Sequence, residues 1–159
     1  MRSPVDLPNW VMVVLDVTVW GGWSAAAGYA AHRRPAEAFA RDSWLYRLRR
    51  FERGGAAYER VGIRRWKDRL PEAGALFTGG FSKRSVRTRD RAQLERFVVE
   101  TRRAEWTHWT IMLATPVFLL WNWWWIELLM VAYALAANLP CLVVQRYNRG
   151  RLLRLLGAQ

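Results

Sequence analysis

A single cysteine, Cys141, stands in 159 residues, so no intramolecular disulfide can form. Zinc and iron–sulfur sites built on several cysteines are excluded with it. Histidine is scarce too: His32 and His108 are the only two. Acidic residues are few, 13 against 25 Lys and Arg, which leaves a net charge of +12 and a pI near 11.2. Internal repeats and low-complexity tails are absent. Three long stretches are nearly free of charge, although the mean hydropathy of −0.12 hides this. What is abundant is tryptophan, with 11 residues. Its apolar body and N–H suit a membrane–water interface.

The uncharged stretches define the expected architecture. The first runs over residues 10–31, with Asp16 as its one charge; the second covers 106–126 and the third 128–145, neither with a formal charge. Crossing a hydrocarbon core of roughly 30 Å takes about 20 helical residues. Three such segments in so short a chain leave too little protein to bury them. Arg2 is offset by Asp6, and Asp16 interrupts the first run, so that segment reads as an uncleaved span rather than a signal peptide.

The charges then sort by side. Residues 32–105 carry 20 of the 25 Lys and Arg and 10 of the 13 Asp and Glu, a net of +10. The tail 146–159 adds Arg146, Arg149, Arg151 and Arg154 without an acid. With three spans, loop and tail fall on one side, and the positive-inside rule makes that side the cytoplasm. The expectation is an all-α membrane protein and one integral-membrane domain over 1–159. It has three transmembrane helices, an outside N-terminus, a long basic cytoplasmic loop carrying interfacial amphipathic helices, and a cytoplasmic tail. Trp106 and Trp109 mark the inner interface; Trp121, Trp123, Trp124 and Trp125 mark the outer one. Arg residues beside spans read as topology signals and contacts to anionic headgroups, not as a nucleic-acid surface.

Within the loop, Asp90 and Gln93 resemble a capping box that opens a helix with Leu94, Phe97, Val98 and Thr101 on one face. Residues 43–51 mix Trp, Leu, Tyr and Phe with Arg and read as an interfacial amphipathic helix. The stretch after it is broken by Pro71, Gly74, Gly79 and Gly80 and reads as lying on the membrane surface.

Enzyme motifs are mostly missing. The chain has no Gly-x-Ser-x-Gly elbow, no phosphate-binding Gly-rich loop, and no His-then-Asp signature of the glycerolipid acyltransferases. The chemistry must come from polar residues in or beside the spans, where they are costly: Asp16, Glu100, Glu105, His108, Asn122, Asn138, Gln145, Tyr147 and Asn148. Glu105 and His108 are spaced i, i+3 and share a helix face, so the carboxylate can orient the imidazole and raise its basicity. An antiparallel hairpin of the second and third spans places both level with Gln145–Arg149, with Asn138 about 10 Å deeper at 1.5 Å per residue. Pro116 and Pro140 are expected to kink the two spans. Such a set can run acyl transfer, with His108 as general base, Asn138 as donor to the oxyanion, and Arg side chains holding an anionic substrate. Glu-x-x-His also occurs in di-iron helices, but a second copy is missing.

The run Glu100–Trp109 (ETRRAEWTHW), an apolar hairpin, and Ala137–Leu152 (ANLPCLVVQRYNRGRL) together resemble the glycosyl-4,4'-diaponeurosporenoate acyltransferase family of small bacterial membrane proteins. Arg64–Gly74 (RRWKDRLPEAG) is similar to that family's Trp-Lys segment. The resemblance covers roughly residues 60–155. It includes Glu100, Arg103, Glu105, His108, Asn138, Pro140, Gln145, Arg146, Tyr147, Asn148, Arg149 and Arg151, and departs at Gly150, where Pro is expected. It implies fatty-acyl transfer to the sugar of a glycosylated carotenoid acid, towards a staphyloxanthin-like pigment, or to another glycolipid or polyprenyl glycoside.

The expectation is therefore an acyltransferase of a bacterial inner membrane that uses no cofactor or metal. Its co-substrates are a fatty-acyl donor, such as acyl-CoA or acyl carrier protein, and a lipid-linked sugar. His108, Glu105 and Asn138 are the catalytic candidates. Arg102, Arg103, Gln145, Arg146, Tyr147, Asn148 and Arg149 are the substrate-binding ones, with Lys67 and Lys83 behind them. Two other readings remain open at this point: a non-catalytic lipid-binding scaffold or partner subunit, and a metal-dependent oxidoreductase using Glu100, Glu105 and His108.

Overall fold

A computed structural model of the chain describes Val5, residues 7–70 and residues 90–157. Among the described residues all regular structure is helical. Pro71, Gly74, Gly79, Gly80 and Lys83 lie outside them. Three long helices carry the fold: Asn9–Arg33, Arg91–Met112 and Trp124–Leu155. They divide between two compact units, Met1–Arg33 with Thr107–Leu139, and Arg34–Trp106 with Pro140–Gln159.

The N-terminal helix opens on Pro8, whose carbonyl accepts the N–H groups of Val11 and Met12 at 2.9 and 3.2 Å. It ends with His32 and Arg33 in its last turn, where cations complement the helix dipole. Of its 25 residues only Met12, Ala27 and Ala31 are buried. Trp10, Val13, Val14 and Val17 face outward, Trp10 at 70% exposure. The C-terminal helix has 32 residues, about 48 Å at 1.5 Å per residue. Both helices are long and apolar enough to cross a membrane, and protein buries only 11% and 22% of their apolar windows. Helices in the core of a soluble protein would be covered by protein; these leave most of their apolar surface exposed.

The expected second span, 106–126, is not a continuous helix. The central helix stops at Met112, a 3-10 helix follows over Thr115–Leu120, and the C-terminal helix begins at Trp124. Pro116 supplies the reason. It lies at the first turn of the 3-10 helix, where its missing N–H costs nothing, and it disfavours an α-helical residue before it. The third span is longer than expected and runs through Pro140 inside the helix.

This break explains Asp16. The carboxylate accepts Trp121 Nε1–H at 2.8 Å and Asn122 Nδ2–H at 2.7 Å. On the same unit Trp23 Nε1–H donates to the Thr110 carbonyl at 2.9 Å, and Trp20 packs on Phe118 and Tyr133. The charge in the first apolar stretch therefore pins the reversal between the second and third.

The second unit has a different interior. Asp90 caps the central helix as expected, accepting Ala92 N–H at 3.1 Å. Leu94, Val98 and Thr101 are buried on the predicted face, and Phe97 packs beside Leu152, Leu153 and Leu156. A second cluster joins Ile63, Val144 and Tyr147 with Tyr58 and Trp66. The same helix face then turns polar, burying Arg102 and Glu105.

The amphipathic helix expected over 43–51 does not form. Residues 44–46 make a turn and 47–49 lack regular structure. A 3-10 segment over Arg50–Val61 is itself broken at Arg53, Gly54 and Gly55, all with positive φ. Tertiary demand overrides local pattern here. The carbonyls of Leu45, Tyr46 and Arg47 accept hydrogen bonds from Arg146 and Arg149, which a helix would have kept for itself.

Candidate functional site

In the first unit the site is a dyad. His108 Nδ1 lies 2.8 Å from Asn138 Oδ1. Asn138 Nδ2 donates to the Ala134 carbonyl one turn earlier at 2.9 Å. A carbonyl can only accept, so that bond fixes the amide with Oδ1 towards the imidazole. Oδ1 also only accepts, so His108 Nδ1 carries the proton. In the neutral ring the lone pair is then on Nε2, the form a general base needs. Asn138 is 4% exposed and His108 half-buried, so the orienting group is enclosed and the ring is reachable. Among the described residues Asn138 is the one polar partner of His108. It therefore holds the orienting geometry expected of Glu105, and its amide faces Ala134 rather than open space.

In the second unit four charged side chains form a buried network. Glu105, fully buried, receives Arg146 Nη1 at 2.5 Å on one oxygen and lies 2.6 Å from Arg149 Nη2 on the other. Glu52, also fully buried, accepts Arg146 Nε and Nη2, both at 2.7 Å. The Tyr58 hydroxyl and the Arg49 N–H each donate to Glu52 at 2.5 Å. Two acids face two guanidiniums, so the charges match in number, and removing one partner would leave a buried charge uncompensated. Arg102 donates to the carbonyls of Phe39 and Ala40 and pairs with Asp42.

The remaining candidates are placed as follows. Arg103 is 3.7 Å from Glu100 and stacks over Phe39. Tyr147 is fully buried; its hydroxyl accepts Arg64 Nε–H at 3.3 Å and donates to Glu59 at 3.4 Å. Gln145 and Asn148 are half-buried and make no side-chain hydrogen bond among the described residues. Lys67 pairs with Asp68. Among the described residues no group of three His, Cys, Asp or Glu side chains is placed to hold a metal ion.

Glu52 escaped the sequence reading. Its signal was a lone acid in the basic run Arg47–Arg53, followed by two glycines. Burial alone would raise its pKa, but hydrogen bonds from Arg146, the Arg49 N–H and Tyr58 outweigh that and hold it below 4.5. Burial and the adjacent Glu52 carboxylate push the Tyr58 phenol up. Because the folded value for Glu52 is depressed, the unfolded chain binds the extra proton in acid. Its contribution is complete above the ordinary carboxylate pKa and disappears as pH falls through the folded value. Thermal melts from pH 7 to 3 should show the melting temperature dropping below about pH 4.5. Glu52→Gln should start lower and flatten that slope.

Gly150 and Gly55 explain how the network closes. A Cβ on Gly150 would lie 2.2 Å from the Gly54 carbonyl oxygen, and one on Gly55 2.9 Å from that of Tyr147. The loop backbone thus rests directly on the C-terminal helix, at the one position where the expected proline is replaced. Gly150→Ala forces the backbones apart and should cost about 1–3 kcal/mol, read as a lower melting temperature.

Comparison with known proteins gives a consistent result. The family model described as glycosyl-4,4'-diaponeurosporenoate acyltransferase matches residues 42–158. Curated relatives of that name from Staphylococcus aureus strains bovine RF122 / ET3-1 and USA300 are each 28% identical over 153 residues. In both cases the alignment covers 92% of this chain and 83% of the relative. No solved structure matches.

Proposed function

Since the chain belongs to the glycosyl-4,4'-diaponeurosporenoate acyltransferase family, an acyltransferase family of carotenoid biosynthesis, we propose that it moves a fatty acyl group onto a sugar hydroxyl of a glycosylated carotenoid acid or a similar lipid-linked sugar. The His108–Asn138 pair carries this reading. Nε2 removes the proton from the sugar hydroxyl as the oxygen attacks the acyl carbonyl carbon. The carbon–sulfur bond of a thioester donor breaks, and the thiol leaves with the proton returned from His108. Asn138 holds the ring in the basic tautomer. Neither step draws on a cofactor, and the donor is acyl-CoA or acyl carrier protein.

The same reading carries a topology, supported by the segregation of charge along the chain. The Asn9–Arg33 helix crosses a bacterial cell membrane with the N-terminus outside. The stretch from Thr107 through the Asp16-pinned reversal enters and returns. Residues 32–105 and the basic tail face the cytoplasm, where their positive charge belongs. Arg102, Arg146 and Arg149 are used chiefly to hold the cytoplasmic unit together.

Expression in a bacterium that accumulates the glycosylated acceptor tests the function. The extracted glycoside should gain the mass of one fatty acid less one water. An unchanged glycoside, with phospholipid copurifying on the protein, would favour a lipid-binding scaffold.

A further inference from the structure

The second unit contains a cavity of about 290 Å3, lined among others by Arg47, Arg49, Arg50, Arg149, Asp42 and Leu153. At about 30 Å3 per water-sized group this is room for roughly ten non-hydrogen atoms. Four guanidiniums meet one carboxylate there, and that carboxylate, Asp42, is already paired with Arg102. Arg149 is fully buried, yet its Nε and Nη1 have no hydrogen-bond partner among the described residues. A buried donor without an acceptor is costly, and two on one guanidinium are unusual for a residue that otherwise sits in a matched network. Arg47 and Arg50 are exposed at the rim, and their side chains have no partner among the described residues. Arg49 stacks over the exposed Trp44 at 4.9 Å and donates to its carbonyl. Leu153 adds an apolar edge.

We propose that this cavity binds a phosphate group, held by Arg47 and Arg50 at its rim over the buried positive charge of Arg149. Guanidiniums match phosphate oxygens in pairs, and the size fits a diphosphate or a phospholipid headgroup rather than a whole nucleotide. Two sources carry that chemistry: the phosphates of an activated acyl donor such as coenzyme A, and an anionic phospholipid. Assignment to the donor rests on the acyl-transfer reading; the capacity to take phosphate does not.

The test uses the full chain in nanodiscs of neutral phosphatidylcholine, as wild type and as the Arg47→Ala/Arg50→Ala double variant. Titration calorimetry with coenzyme A and with inorganic pyrophosphate reads the donor source. Native mass spectrometry after adding phosphatidylglycerol reads the lipid source. The wild type should bind in at least one arm, and the double variant should lose at least tenfold in that arm with its melting temperature unchanged. Binding of coenzyme A identifies the donor, and retention of phosphatidylglycerol alone identifies the headgroup. The proposal is overturned if the wild type takes none of the three, or if the double variant binds as tightly as the wild type. Because binding is read without turnover, absence of acyl transfer leaves this result intact.

Discussion

Replacing His108 with alanine is expected to lower acyl transfer by about 10²–10⁴-fold, the range for losing a positioned general base. The protein should remain in the membrane with a melting temperature near that of the wild type, since the half-buried ring makes a single polar contact. Asn138→Leu should act in the same direction, because Nδ1 loses the acceptor that fixes the tautomer. Acyl transfer is measured by mass spectrometry of the extracted glycoside, and folding by thermal melts in detergent. Full activity in His108→Ala would remove the imidazole from the chemistry.

Glu105→Ala is expected to fail differently. The change leaves Arg149, at 0% exposure, without a carboxylate and Arg146 with Glu52 alone. Breaking a buried ion pair from one side costs about 3–5 kcal/mol, a large share of the stability of a small unit. The second unit should become sensitive to limited proteolysis, and protein yield should fall. Glu105→Asp keeps the charge on a shorter stem and should be milder. A Glu105→Ala protein that melts normally but has lost all transfer would instead put this carboxylate in the reaction. The two substitutions lie three residues apart in sequence, so their contrasting phenotypes separate chemistry from scaffold.

Much of this was legible because charge and greasiness segregate along the chain. Residues 10–31 and 128–145 fall inside the two apolar helices, and the face of Leu94, Val98 and Thr101 is buried as its spacing required. What misled was local pattern where tertiary partners decide. Trp44, Leu45 and Tyr46 among arginines imitate an amphipathic helix, but the carbonyls of Leu45, Tyr46 and Arg47 are recruited by arginines about a hundred residues away. The i, i+3 spacing correctly placed Glu105 near His108 along a helix, yet spacing says nothing about which side chains arrive from another element. Asn138 meets the imidazole, and Arg146 with Arg149 meets the carboxylate. Residues 106–126 are expected only to kink at Pro116, whereas the helix stops at Met112 and a 3-10 helix follows. Gly150 illustrates the reverse case. The sequence marks it only as a departure from the expected proline, and a Cβ there would lie 2.2 Å from the Gly54 carbonyl oxygen.

The most direct measurement uses the purified protein in nanodiscs with a fatty acyl-CoA and a glycosylated carotenoid acid. Free thiol and acylated glycoside are followed together. Transfer catalysed at the His108–Asn138 pair predicts that both appear in a one-to-one ratio with wild-type protein, and that neither exceeds background with His108→Ala. Thiol release without acylated glycoside, or no product from wild-type protein that retains its fold, would contradict it.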